Sequence, residues 1–321
     1  MLYSFLKISI GLAMRIFARK VFINKPELLK EKGPLILACN HPNSFLDAVL
    51  LDLLFQQPIW SLTRGDSFIN RFVSKILHSL RMLPVYRPSE GVENLSENYN
   101  TFDKCIEIFR NNGVVLIFSE GLCVNEWHLR SLKKGTARLA IKCQDENIPL
   151  KILPVGINYS SFSRFGKNIF LNFGNIFTME GFDATVSEGV RNMAFNEHLK
   201  KELEPLVYEI EKTDTTKQKE LLDIKPSTLS NILLAVPSFF GWLIHAPLYL
   251  PARYIVFKYF KGTVHNDSVL IAVLFFTYPF YLIAITLALF CITKCSWVFF
   301  LLLVLPFTAW SHIQLKEQLD R

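Results

Sequence analysis

Short apolar runs alternate with segments of helical periodicity over the first two thirds of the chain, and the last third turns almost continuously apolar. Runs at 35–39, 59–63, 82–86, 114–118, 151–157 and 169–173 are rich in Val, Ile, Leu and Phe and read as buried strands. Segments 45–55, 68–80, 95–110, 136–147 and 186–212 space their apolar residues at three and four, which predicts helices. Strands alternating with helices predict an α/β domain over 24–213, a largely parallel sheet flanked by helices. Sites in such sheets gather at the carboxyl ends of the strands. Residues 1–23 are apolar but carry Lys7, Arg15, Arg19 and Lys20. That charge disfavours a spanning helix, and no small-residue cleavage site marks a signal peptide. An amphipathic helix in the membrane interface, basic side to the headgroups, is expected; a packed helix with a basic outer face is the other reading.

Residues 214–228 read as a charged linker and 229–321 as a membrane region. The apolar stretch 229–250 contains Pro237, His245 and Pro247, whereas 268–292 is long enough to span a bilayer and 296–313 follows at once. The last two predict a transmembrane hairpin. Arg253, Lys258 and Lys261 precede it, and Lys316 and Arg321 follow it. Basic flanks place both ends on the cytoplasmic side and the Lys294 turn outside. With a cytoplasmic α/β domain, 229–250 is then re-entrant or interfacial, unless the N-terminal segment also crosses.

Composition sharpens this picture. Half of the 321 residues are hydrophobic and 28 are Phe, too apolar for an ordinary soluble enzyme. The net charge of +7 suits an anionic surface, and since nothing reads as a nucleic-acid module, that surface is a lipid membrane. The six cysteines form no CxxC pair and no zinc spacing, so neither a disulfide framework nor a metal site is expected.

Candidate chemistry lies where the strands end. Leu35–Cys39 runs into Asn40-His41-Pro42, and Pro42 biases His41 towards a turn. Ser44 then opens a helix that carries Asp47 in its first turn. A carboxylate on one ring nitrogen fixes the tautomer and leaves the other free as a general base. His41 as a plain strand cap beside an ordinary first-turn acid fits this stretch equally well. Arg87 ends the run 82–86, where a guanidinium suits a phosphate. At 118–121, Phe-Ser-Glu-Gly leads a strand into Glu120 and Gly121. Glu120 there is either an acceptor for neighbouring backbone or a ligand for a substrate hydroxyl. Arg130, Lys133 and Lys134 follow just before a helix begins, as an anion site or a solvated basic face. Pro154 interrupts the run 151–157, which argues for a strand edge or bulge.

In this order and spacing, the four stretches resemble the glycerolipid acyltransferases of the lysophosphatidic acid and glycerol-3-phosphate acyltransferase superfamily, over about residues 33–180. His41…Asp47 matches the catalytic His-Asp motif, 82–87 the second motif, 118–121 the third and 153–156 the fourth. Two departures stand out. Five residues separate His41 from Asp47, where the family usually has four, as in a subgroup with a C-terminal membrane tail. Leu122 and Cys123 follow Gly121 where Thr-Arg is common, so a phosphate-binding Arg is missing and Arg130 or Lys133 is its expected substitute.

The resemblance implies a membrane-bound acyltransferase of phospholipid biosynthesis. It would move a fatty acyl group from acyl-CoA or acyl carrier protein, as co-substrate, to a hydroxyl of glycerol-3-phosphate or 1-acylglycerol-3-phosphate, with no cofactor or metal. His41 and Asp47 are the expected catalytic pair. Arg87, Glu120 and Gly121 would bind the acceptor, with Arg130 or Lys133, and Pro154 would shape the acyl region. Two rivals are a hydrolase using the same His/Asp pair with water and a non-enzymatic membrane lipid-binding protein. The absence of a G-x-S-x-G elbow weighs against a serine esterase.

Overall fold

The computed structural model describes residues 2–86 and 97–319. Its centre is strand β2 (Leu35–Cys39), with all five residues inaccessible to solvent. A continuous apolar run is what such a position selects, because both faces are covered. β2 pairs in parallel with β5 (Val114–Phe118) on one side and β6 (Lys151–Tyr159) on the other. β3 (Ile59–Arg64) and β4 (Met82–Val85) extend the parallel sheet beyond β5. Beyond β6 lies β7 (Lys167–Phe173), antiparallel to it, and then β1 (Ala18–Ile23), parallel to β7. The short β8 (Phe177–Thr178) also pairs with β6.

Alternation along β2 sorts the core. Leu35, Leu37 and Cys39 pack with Met14 and Phe17 of α1 (Leu2–Phe17) and with Leu46, Leu50 and Leu51 of α2 (Phe45–Leu54). Ile36 and Ala38 face the opposite layer, built by α4 (Glu97–Arg110), α5 (Lys134–Asp145) and α6 (Glu188–Leu203). The short α3 (Arg71–Ser79) precedes β4. The expected α/β class, a largely parallel sheet flanked by helices, is the observed one.

Several boundaries differ. The N-terminal helix stops at Phe17, and residues 18–23 become the edge strand β1, because the Ala18 and Arg19 region finds ladder partners along β7. On α1, Lys7 Nζ donates to the Phe55 carbonyl at 3.0 Å, capping the end of α2, while Arg15 is exposed. Leu2, Phe5, Ile8 and Leu12 form an exposed apolar stripe along the helix. Residues 204–212, expected to be helical, leave α6 and Ile210 bridges to Trp127. The charged stretch after them holds a helix, α7 (Thr215–Leu222), started by the Asp214 side chain accepting from Lys217 N at 2.9 Å. Buried Leu222 docks it beside Trp127 and Phe170.

Three helices follow: α8 (Thr228–Tyr259), α9 (Asn266–Thr293) and α10 (Leu301–Leu315), the last preceded by a 3₁₀ turn at Ser296–Phe300. Each apolar segment, with that turn counted in the third, is long and apolar enough to cross a membrane. Residues 229–250 lie within the unbroken α8 and form no re-entrant loop, despite Pro237, Pro247 and Pro251. Large apolar side chains such as Ile232, Phe276, Phe280 and Leu303 are exposed along these helices, a surface suited to lipid rather than water. The chain is built for membrane association.

Candidate active site

The carboxyl ends of β2, β5 and β6 converge, and the side chains there form one hydrogen-bonded unit. Asn40, directly after β2, ties two of the strand ends together: its side chain accepts from Ile157 N at 2.7 Å and donates to Ile157 O at 3.0 Å. His41 follows, outside any helix. Its Nδ1 lies 2.8 Å from Asp47 Oδ2. Six positions on a continuous helix would stand about 240° apart, so the contact requires the turn that Pro42 starts. In that turn Ser44 takes φ +52°, and α2 begins at the next residue.

Asp47 is fully buried, and its burial is compensated. Oδ2 also accepts from Asn43 N at 2.8 Å, and Oδ1 accepts from the Tyr159 hydroxyl at 2.7 Å. Burial and the adjacent carboxylate raise the Tyr159 pKa well above the usual phenol value, so it stays a donor. Because an ionised carboxylate only accepts, it holds the imidazole proton on Nδ1 and leaves Nε2 as the basic nitrogen. The ring stacks flat on Phe118, with centroids 3.7 Å apart and planes 8° apart. With 15 % of its side chain exposed, His41 remains reachable from outside.

Glu120 takes the first of its two anticipated roles. Its Oε2 accepts from His41 N and its Oε1 from Arg130 N, each at 2.9 Å, so it clamps two backbone segments. Burial pushes its carboxyl above the ordinary value, against the pull of those two N–H groups. Gly121 has φ +65°, and a Cβ there would stand 2.9 Å from Lys133 Cγ. The exposed Lys133 side chain thus lies across the glycine, and its backbone N donates to Ser119 O at 2.7 Å. The Arg130 guanidinium is turned to the surface, paired with Glu126 at 2.6 Å. Pro154 is buried inside β6, paired with Ala38 of β2 and upstream of the Ile157 contact. It lies where β6 passes between its pairings with β8 and β7, which accommodates a residue without N–H. Arg87 lies outside the described residues.

The segment 122–125 wraps the turn after His41. Cys123 Sγ accepts from Ser44 N at 2.9 Å, Val124 N donates to His41 O at 3.2 Å, and Asn125 Nδ2 donates to Pro42 O at 2.7 Å. Sequence reasoning missed Asn40, Asn43, Cys123 and Tyr159. Only Tyr159 left a signal, standing two residues beyond Ile157 on the same strand face. Among the described residues, no group of three or more His, Cys, Asp or Glu could hold a metal ion.

Chemically, the arrangement offers one oriented base beside an apolar layer. The chain is similar over 63 % of its length, at 19 % identity and a TM-score of 0.43, to the 1-acyl-sn-glycerophosphate (LPA) acyltransferase PlsC of Thermotoga maritima, 79 % of whose chain is covered. No curated protein matches the sequence. Residues 20–158 match the family model Acyltransferase, a span that contains His41, Asp47, Glu120 and the strands that carry them. The part of the chain that carries His41, Asp47 and Glu120 is therefore the part that is similar to the Acyltransferase family.

Proposed function

We propose that the protein transfers a fatty acyl group from an acyl thioester, acyl-CoA or acyl carrier protein, to a hydroxyl of a glycerophosphate or lysophospholipid, as a step of phospholipid biosynthesis. The observation that carries this reading is the His41 Nδ1–Asp47 contact of 2.8 Å, with no hydrogen bond to Nε2 among the described residues. Nε2 takes the proton of the acceptor hydroxyl as its oxygen attacks the thioester carbon. Asp47 holds the resulting imidazolium. The tetrahedral adduct collapses, the C–S bond breaks, and Nε2 returns the proton to the departing thiolate. No enzyme nucleophile is required, since the acceptor oxygen is itself the nucleophile.

The acceptor phosphate would be met by Arg87, directly after the run 82–86, and by Lys133, at the start of α5. The exposed apolar helices would keep this face at the bilayer surface, where acyl chains partition. Thiol release from acyl-CoA, assayed with glycerol-3-phosphate, with 1-acylglycerol-3-phosphate and with no acceptor, tests the reading. Release stimulated by one acceptor, with the acylated product found by mass, is expected; acceptor-independent release would make the protein a hydrolase instead.

A further inference from the structure

The turn that carries His41 is held from an unexpected side. At the start of α9, its N-cap His265 and first-turn Asp267 meet two successive residues of that turn. Asp267 Oδ2 accepts from Asn43 Nδ2 at 2.8 Å, and Ser44 Oγ lies 2.6 Å from His265 Nδ1. Asp267 also pairs with Lys167, the first residue of β7, and both side chains are almost completely buried. The backbone N of Asn43 donates to Asp47 Oδ2, the same oxygen that faces His41. A continuous polar path therefore runs from Lys167 through Asp267, Asn43 and Asp47 to the imidazole.

Docking α9 also has apolar support: Ile271 of α9 packs against the core that holds Leu46, Leu50 and Leu51. Ala252, Val256 and Leu270 already pack α8 and α9 together through apolar contact. A buried ion pair is a poor source of net stability, because desolvation offsets its attraction; its better-attested use is to fix one geometry. The turn needs such fixing. Ser44, at φ +52° and ψ −138°, holds a backbone conformation that a residue with a Cβ rarely adopts and that persists only where its surroundings over-determine it.

We propose that Asp267, supported by Lys167 and His265, is a positioning residue for acyl transfer. In this arrangement the membrane helices complete the active site by locking the 42–44 turn and, through Asn43, the Asp47 carboxylate. This inference rests on the acyl-transfer reading of His41 and Asp47. It further implies that the first turn of α9 stays at the catalytic face throughout turnover.

The test compares two double variants of the full chain, each relieved of the orphaned lysine. K167M/D267N keeps an amide oxygen for Asn43 to donate to, whereas K167M/D267L does not. With acyl-CoA and the acceptor that supports turnover, kcat of K167M/D267L should lie on the order of 10–100-fold below that of K167M/D267N, at unchanged KM for both substrates. Equal kcat in the two, or a loss carried by KM, overturns the positioning role. If either double variant fails to fold, Asn43→Ala removes the same bond from the other side with the ion pair intact. A similar kcat loss at unchanged KM then supports the role, and wild-type kcat overturns it. The underlying reading fails separately: active His41→Ala would remove it, whereas inactive His41→Ala with equal double variants would remove only the role of Asp267.

Discussion

Asp47 has no solvent exposure and receives contacts from His41, Asn43 and Tyr159. Each contact restricts where the carboxylate can sit, and so restricts the imidazole. Tyr159→Phe removes one donor without changing volume much, and should lower stability by about 0.5–1.5 kcal/mol in denaturant melts. It should also lower kcat while leaving His41 essential; an unchanged kcat would mean the Asn43 contact suffices. Glu120 supplies a pH-dependent test. Burial raises its carboxyl pKa in the folded state, so between the ordinary value and the raised one the folded chain binds more protons than the unfolded chain. Stability from this group therefore falls as pH rises through that window. Wild type should gain stability relative to Glu120→Gln as pH is lowered through it, and a pH-independent difference between the two would contradict the assignment.

At the scale of elements, the parallel core was legible because β2, β5 and β6 are uniform apolar runs ending in polar residues. His41, Asp47 and Glu120 were legible for the same reason: each follows directly from a strand end or a helix start. The partners of that unit were not. Asp267 and His265 lie more than two hundred positions from Asn43 and Ser44, and no local pattern joins them. The edge strand β1 was hidden because residues 18–23 continue the apolar, basic character of α1, and only pairing with β7 distinguishes them. A glycine joins two of the apolar helices. A Cβ on Gly241 of α8 would stand 2.1 Å from the Thr308 carbonyl oxygen of α10, so the two backbones touch there. Gly241→Val should force them apart and cost about 1–3 kcal/mol, measured as a lowered unfolding midpoint in detergent. An unchanged midpoint would show that α8 and α10 slide without penalty.

Across the whole molecule, the apolar stripe of α1 and the exposed faces of α8–α10 suit association of the chain with a membrane. Basic residues Arg253, Lys258, Lys261 and Lys316 flank the last two apolar segments, and the positive-inside tendency predicts these ends on the cytoplasmic side with the Lys294 turn opposite. Because His265 and Asp267 touch the 43–44 turn, α8 would then lie in the interface rather than cross it. Exposed free cysteines Cys291 and Cys295 bracket the Lys294 turn. In intact cells an impermeant maleimide should label them from outside, and labelling only after the membrane is opened would reverse the orientation. The central claim is that the imidazole held by Asp47 is the base of an acyl transfer. It is tested most directly by acceptor-dependent thiol release from acyl-CoA, comparing wild type with His41→Ala in membranes that hold equal amounts of each. The account predicts a loss on the order of 10²–10⁴-fold in the variant with membrane insertion unchanged; release at the wild-type rate would contradict it.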